Sequence, residues 1–300
     1  MAQKPVFVPK PKGLGLRNWI VDKIAATPRK WNVILKLFKL IVIGSKLTEK
    51  PIIGPLYKRI MMFSPVDKTY TFGTVLNLNV DVSDATESVT VPADLMKKLI
   101  REATTIVSAN SCLCKDAMGC ETYPHDVCCL FLGKGSLSMV KHDVGHVVSV
   151  EEALARVDKA AELGLIGQAL WVELEQYVWG VNCEDLDKFI EVCFCCPCCC
   201  VGLNVAKNAS REIKERFRSS GWQAQVQDHC IGCGFCVESC VQSAITIKNG
   251  KAVVNETYCM GCGICKTHCQ QGAIKIEQVK PMRASVQEYF LEEGRLDIKP

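Results

Sequence analysis

Cys230-Ile-Gly-Cys233-Gly-Phe-Cys236-Val-Glu-Ser-Cys240 is answered, nineteen residues on, by Cys259-Met-Gly-Cys262-Gly-Ile-Cys265-Lys-Thr-His-Cys269. The spacing C-x2-C-x2-C-x3-C is thus written twice. A cube of iron and sulfide needs a thiolate at each of four corners. Three close cysteines on one loop take three corners, and in a two-cluster arrangement the last cysteine of each run crosses to the other cluster. The spacing therefore assigns Cys230, Cys233, Cys236 and Cys269 to one [4Fe-4S] cluster, and Cys259, Cys262, Cys265 and Cys240 to a second. The glycines at 232, 234, 261 and 263 suit loops whose amides must approach cluster sulfurs. A pair of zinc sites is the plainer alternative, but zinc-binding cysteines come as separated C-x2-C pairs rather than in three-plus-one runs.

On these residues the stretch resembles a bacterial-type ferredoxin domain. The resemblance covers about fifty residues and implies a pseudo-twofold pair of small β-α-β units. The local pattern agrees, with candidate strands at 223–227, 244–247, 252–255 and 273–276 and the hairpin signal Asn249-Gly250. The family usually has proline after each fourth cysteine. Val241 and Gln270 stand there instead, which touches loop stiffness and not the ligands.

The chain has 300 residues, room for two domains, and 20 cysteines. Its start, Met-Ala-Gln-Lys-Pro-Val-Phe-Val-Pro-Lys, has no apolar stretch leading to a small-residue cleavage site. A disulfide scaffold is therefore not expected, and the expected setting is the cytoplasm of an organism or compartment poor in oxygen. The net charge of +4 conceals a split. Residues 1–70 hold 14 Lys or Arg against 3 Asp or Glu, a net of +11; the other 230 hold 22 against 29, a net of −7. Such asymmetry points the N-terminal arm at something acidic: a partner, a membrane surface or the chain's own body.

Helical patterns run from about 16 to 26 and from 31 to 47, separated by Thr27-Pro28. In the second, Asn32, Lys36, Lys39 and Lys46 share one narrow stripe, and Trp31, Ile34, Leu35, Leu37, Phe38, Ile41 and Val42 spread over the other side. The apolar run is too short to span a bilayer, and lysines at mid-helix would each cost about 2.5–3.5 kcal/mol there. Packing on the chain's own body or a partner subunit is the first expectation. Peripheral membrane contact through residues 31–47 is the second. No recognition motif accompanies the basic residues, so nucleic acid is not an expected partner. Residues 51–70, with prolines at 51, 55 and 65, read as a connector holding one short helix.

Beyond it, alternation over 76–82 predicts a strand, 87–91 a second, and Pro92 the first turn of a helix over 93–108. Cys112, Cys114, Cys120, Cys128 and Cys129 follow. Ser149 reads as the N-cap of a helix over 150–163 closed by Gly164, with a strand expected over 170–178. Next comes Cys193-Phe-Cys195-Cys196-Pro-Cys198-Cys199-Cys200, six cysteines in eight residues, which packing cannot explain. Residues 207–218 read as a basic amphipathic helix.

These two segments resemble a class of cysteine-rich iron-sulfur proteins of anaerobes that share a Cys-x-Cys-Arg start, a Tyr-Pro-x-Asp-x-x-Cys-Leu-Phe block and a Cys-x-Cys-Cys-Pro-Cys-Cys-Cys block. The resemblance spans about residues 72–202; here Lys115 replaces the arginine and Cys128 a frequent glycine. Its matching positions are Cys112, Cys114, Cys120, Cys129, Cys193, Cys195, Cys196, Cys198, Cys199 and Cys200, the candidate ligands of at least one further iron-sulfur centre. An ordinary third cluster, a noncubane centre as in the cysteine-rich subunits of heterodisulfide reductases, a structural zinc site and a redox-active thiol pair all remain open. Cys128 and Cys183 read as ordinary buried thiols. Among the histidines His125 is the one weak ligand candidate.

The expected fold is α+β: a basic helical arm and connector (1–70), a cysteine-rich α/β body (71–222), a ferredoxin-like (βαβ)2 dicluster domain (223–278) and a tail (279–300). The expected function is electron transfer, as the iron-sulfur subunit of an anaerobic oxidoreductase working with flavoprotein or other iron-sulfur subunits. The alternatives are a reductase whose upstream centre binds substrate, and a cluster-assembly scaffold. No Walker loop, GxGxxG after a strand or Ser-His-Asp set is present, so nucleotide or flavin binding would belong to a partner.

Overall fold

The computed structural model describes residues 14–60, 72–79, 92–171, 173–214 and 217–280. Seven strands form the body: β1 (Phe72–Leu76), β2 (Ile106–Ala109), β3 (Leu130–Leu132), β4 (Gly145–Val147), β5 (Ile166–Trp171), β6 (Ile190–Cys195) and β7 (Phe217–Ser219). Their order is β4-β2-β3-β6-β5-β1-β7, and every neighbouring pair is antiparallel except β1 with β7. Central β6 is buried at every residue, so it must satisfy both faces of the sheet. Phe194 lies opposite Gly167 of β5, where a Cβ would run into Met96 of the helix Pro92–Glu102. That helix and Val150–Glu162 cover this apolar face. The alternate residues Glu191, Cys193 and Cys195 pair with Leu170, Gln168 and Ile166 and look the other way, toward the cysteine loops.

The C-terminal part adds β8 (Trp222–Val226), β9 (Ile245–Lys248), β10 (Lys251–Val254) and β11 (Ile274–Gln278), with β8 against β11 and β9 against β10. Asn249 and Gly250 both take positive φ, 50° and 74°, the two-residue hairpin turn that their sequence signals. Short helices Phe235–Ser239 and Ile264–Thr267 complete two β-α-β units. The chain is thus α+β, a cysteine-rich body followed by a ferredoxin-like dicluster fold. Buried Asn77, just past β1, ties the two together by donating to the carbonyl of Gly261 at 3.1 Å.

Several boundaries move from their expected places. The helix expected over 93–108 stops at Glu102, because Thr104-Thr105-Ile106-Val107 is β-branched and enters β2. The strand expected over 170–178 is instead the end of β5 followed by the helix Glu173–Trp179, whose Glu-Leu-Glu-Gln start favours helix. The basic helix expected over 207–218 is broken. Val201–Asn208 ends where Ala209 turns extended, Arg211–Lys214 is one turn, and Phe217 opens β7. The strand expected over 76–82 ends at Leu76, within β1, and both its continuation past 79 and the candidate at 87–91 lie outside the described residues. Ser149 caps its helix as expected: its Oγ accepts from the Glu152 amide while its own amide donates to Glu152.

The arm forms helices Leu14–Ile24, Trp31–Gly44 and Ile53–Ile60. Its inner face buries Val21, Ala25, Ala26, Ile34, Ile41 and Val42. Trp31 Nε1 donates to Asp116 at 3.1 Å, the Ala26 amide to the Val178 carbonyl at 2.7 Å, and Arg17 to Gln176 at 2.9 Å. Trp31, Trp179 and Phe131 continue as a row of rings, 6.5 and 5.1 Å between centroids. The lysine stripe faces outward, but so do Val33, Leu37, Leu40 and Ile43. No helix among the described residues is long and apolar enough to cross a membrane.

Candidate metal centres

Each four-cysteine set of the C-terminal part lines a cavity of its own. Cys230, Cys233, Cys236 and Cys269 wall one, and Cys240, Cys259, Cys262 and Cys265 the other. Amides reach the sulfurs in a repeated pattern: Ala252 to Cys230 at 3.5 Å, Ala273 to Cys269 at 3.2 Å, Ala244 to Cys240 at 3.2 Å and Ala224 to Cys259 at 3.4 Å. Amide donors aimed at sulfur stabilise thiolate and bridging sulfide, so this donor set fits iron-sulfur clusters. Gly261 has φ +68°, and a Cβ there would strike the Trp222 carbonyl, so only glycine lets the loop pass.

The two cavities differ in depth. Cys233 is exposed, and the amides of Ala252 and Gly232 hold Cys230 below the usual thiol range. Burial pushes Cys259 up, Cys262 up to about 12 and Cys265 higher. Thiols this desolvated ionise only beside a cation, and bound iron would supply it.

The ten upstream candidates separate into a group of six and a group of four. Cys129 and Cys193 lie 3.0 Å apart at sulfur, and Cys112, Cys195, Cys200 and Cys114 extend them into a chain of neighbouring thiols that shift one another's ionisation. Four of these six are buried and Cys114 and Cys129 are half-buried. Burial, then the neighbouring Cys129 and Cys195 thiols, drives Cys193 well up. Gln168 donates to Cys195 at 3.1 Å, and Cys193 donates to Glu191 at 2.8 Å. Gln168 Oε1, Glu175 Oε2 and Glu191 Oε2 are buried beside them without a protein partner. Six thiols ringed by unsatisfied polar atoms fit a bound inorganic centre better than a packed core.

Cys120, Cys196, Cys198 and Cys199 form the second group, all four sulfurs within 4.8 Å of one another. Burial pushes Cys196 up and, with Cys120 and Cys198 alongside, Cys199 up to about 12. Burial also opposes ionisation of Cys120. There the amides of Tyr123 and Thr122 and the Cys199 and Cys198 thiols prevail and bring it down to about 7.

Cys128 and Cys183 belong to neither group. Cys128 donates to the Ala109 carbonyl at 3.1 Å and Cys183 accepts from Gln176 at 3.2 Å. Both ring nitrogens of His125 face acceptors, Asp116 at 2.5 Å and the Cys120 carbonyl at 2.8 Å, which raise its pKa and leave neither nitrogen turned toward a metal. Glu191 and Gln168 went unnoticed in the sequence. Two-residue periodicity along β6 places Glu191 on the face of Cys193 and Cys195, a signal available once that strand is read as one. Lys115 is fully buried, and its ammonium donates to the Pro124 and Val127 carbonyls at 2.7 Å each. It clamps the loop that carries Cys120 and Cys129.

Residues 229–273 match the 4Fe-4S dicluster domain family. No curated protein and no solved structure matches the chain. With the twin cysteine runs, the paired cavities and the matched segment in agreement, the C-terminal part carries a 4Fe-4S dicluster domain, and with it two [4Fe-4S] clusters and electron transfer through iron-sulfur chemistry.

Proposed function

We propose that the chain is an electron-transfer subunit of an anaerobic oxidoreductase, joining the two ferredoxin clusters to a further iron-sulfur centre held by Cys112, Cys114, Cys129, Cys193, Cys195 and Cys200. Bound iron-sulfur groups supply one-electron chemistry at these places. In the dicluster domain Cys269 serves the Cys230–Cys236 set and Cys240 the Cys259–Cys265 set. The observation that carries the reading is one apolar cluster that unites the two ends. Cys193, Cys195, Cys200 and Cys129 pack in it with Val241, Met260, Ile264 and Cys262, part of the wall of the deeper ferredoxin cavity. Met260 and Ile264 are 3% and 5% exposed, which keeps water from between the two sites. Four of the six cysteines are buried and the other two half-buried, which favours relay over substrate binding.

The shallower ferredoxin site is the entry. Cys233 is exposed there between Ile231 and Phe235, 62% and 47% exposed, an apolar rim for a flavoprotein or iron-sulfur partner. The arm meets an anionic lipid surface: Val33, Leu37, Leu40 and Ile43 lie outward with Lys36 and Lys39, apolar and cationic groups on one exposed side.

Redox titration with EPR of the full chain, purified without oxygen, tests the relay. Wild type is expected to show a paramagnetic species beyond the two ferredoxin clusters. That species should vanish in Cys195→Ser and Cys200→Ser while the ferredoxin signals stay. Loss of no signal in either variant would remove the upstream centre.

A further inference from the structure

The upstream cysteines have so far been candidates for one centre, but their geometry divides them. We propose that Cys120, Cys196, Cys198 and Cys199 bind a single zinc ion in a closed tetrathiolate site, separate from the six-thiol group and from both ferredoxin clusters. This goes beyond the electron-transfer reading and does not depend on it.

The distances decide the class of ligand. Thiolates about 2.3 Å from one tetrahedral ion stand about 3.8 Å apart, whereas a four-iron cube holds its outer thiolates at roughly 6 Å. The four sulfurs lie within 4.8 Å of one another, and Cys120 and Cys198 are 3.9 Å apart. Among the described residues no set of ferredoxin thiols is drawn together that closely. Cys129, Glu191 and Cys193 of the six-thiol group also converge, but among the described residues only Cys120, Cys196, Cys198 and Cys199 bring four thiols within 4.8 Å, a full tetrahedral set.

The chain around them is built to keep that convergence. Pro197 sits in a tight turn closed by the Cys200 amide donating to the Cys196 carbonyl at 3.3 Å, which gathers Cys196, Cys198 and Cys199. Cys120 arrives from the other loop. Its amide donates to the Lys115 carbonyl at 3.0 Å, and its carbonyl lies 2.8 Å from His125 Nε2. Three ligands are buried and Cys198 is exposed, so an ion has a path in from solvent. Four thiolates leave no open coordination position, the mark of a structural site. Zinc stands above ferrous iron in affinity for such a donor set and asks nothing further of geometry. Its work here would be to fasten the loop of residues 112–129 to that of residues 193–200, fixing the six-thiol group that those loops share.

The test uses the full chain purified without oxygen. Zinc and iron are counted by mass spectrometry, and the zinc edge is read by X-ray absorption. One zinc per chain with four sulfurs at about 2.3 Å and no metal neighbour is expected. Cys120→Ser and Cys198→Ser should each lose that zinc and keep the EPR signals of both ferredoxin clusters, whose cysteines line cavities apart from these loops. Wild type with well under one zinc per chain, a metal-metal distance at the zinc edge, or variants that keep zinc and lose iron would overturn the proposal. The wild-type measurements stand by themselves if a variant fails to fold.

Discussion

Lys115 and Asp116 sit side by side and hold the upstream loops from opposite directions. The Lys115 ammonium satisfies two loop carbonyls from inside, while Asp116 accepts from Trp31, Ser111 and His125 on its outer side. Replacing Lys115 by Met leaves the buried Val127 carbonyl without a donor, at about 1–3 kcal/mol, while that of exposed Pro124 can turn to water. The thermal midpoint of Lys115→Met should fall with the ferredoxin EPR unchanged; an unaltered midpoint would show that the clamp contributes nothing. The crossed fourth ligands give a second test at this scale. Cys269→Ser should damage the cluster of Cys230, Cys233 and Cys236 and spare its neighbour. Loss of the Cys259-centred cluster alone would contradict the assignment. The eight ferredoxin cysteines were legible because three-plus-one spacing has one economical use. The six-and-four division upstream was not, because it is decided by contacts between loops some eighty residues apart in the chain.

Among the elements, the arm departs most from its sequence reading. A wheel separates lysine from apolar residues, but it cannot say how much of the apolar side the body covers. The buried arc follows Trp31, Ile34, Phe38 and Ile41, and Val33, Leu37 and Leu40 remain outside. Helix Trp31–Gly44 lies against Val201–Asn208, which follows directly on Cys200. Removing the arm should therefore disturb the upstream centre as well as any docking. Substituting Val33, Leu37 and Leu40 together by Gln leaves the buried side whole. The variant should keep its iron and lose sedimentation with phosphatidylserine vesicles, and undiminished sedimentation would end the lipid reading. The arm's seat also responds to pH. His142, 9% exposed, lies beside Asp22 of the first helix, and burial lowers its pKa more than Asp22 raises it, with Lys141 and Lys30 adding to the lowering. A group harder to protonate when folded leaves stability whole above its unfolded pKa of about 6.5 and erodes it as pH falls below that. Wild type should lose more stability to urea between pH 7.5 and 5.5 than His142→Gln does, and equal losses would clear His142. β6 escaped notice because burial on both faces erases the alternation by which half-buried strands are recognised.

For the whole molecule, the α+β class and the dicluster domain could be read from one forty-residue stretch, since cluster ligation fixes the local backbone around it. The body could not be placed that way. Its mainly antiparallel sheet is short-stranded, and its helix and strand limits depend on packing against the arm and the cysteine loops. What unites the parts is the shared wall of Val241, Met260 and Ile264 between the six upstream thiols and the deeper ferredoxin site. That arrangement makes a further iron-sulfur centre the central claim, and counting iron tests it most directly. Iron and acid-labile sulfide per full chain, purified without oxygen and compared with EPR spin counts, should exceed about eight of each, the content of two four-iron clusters. A value of about eight for both, with spins from the two ferredoxin clusters alone, would contradict it.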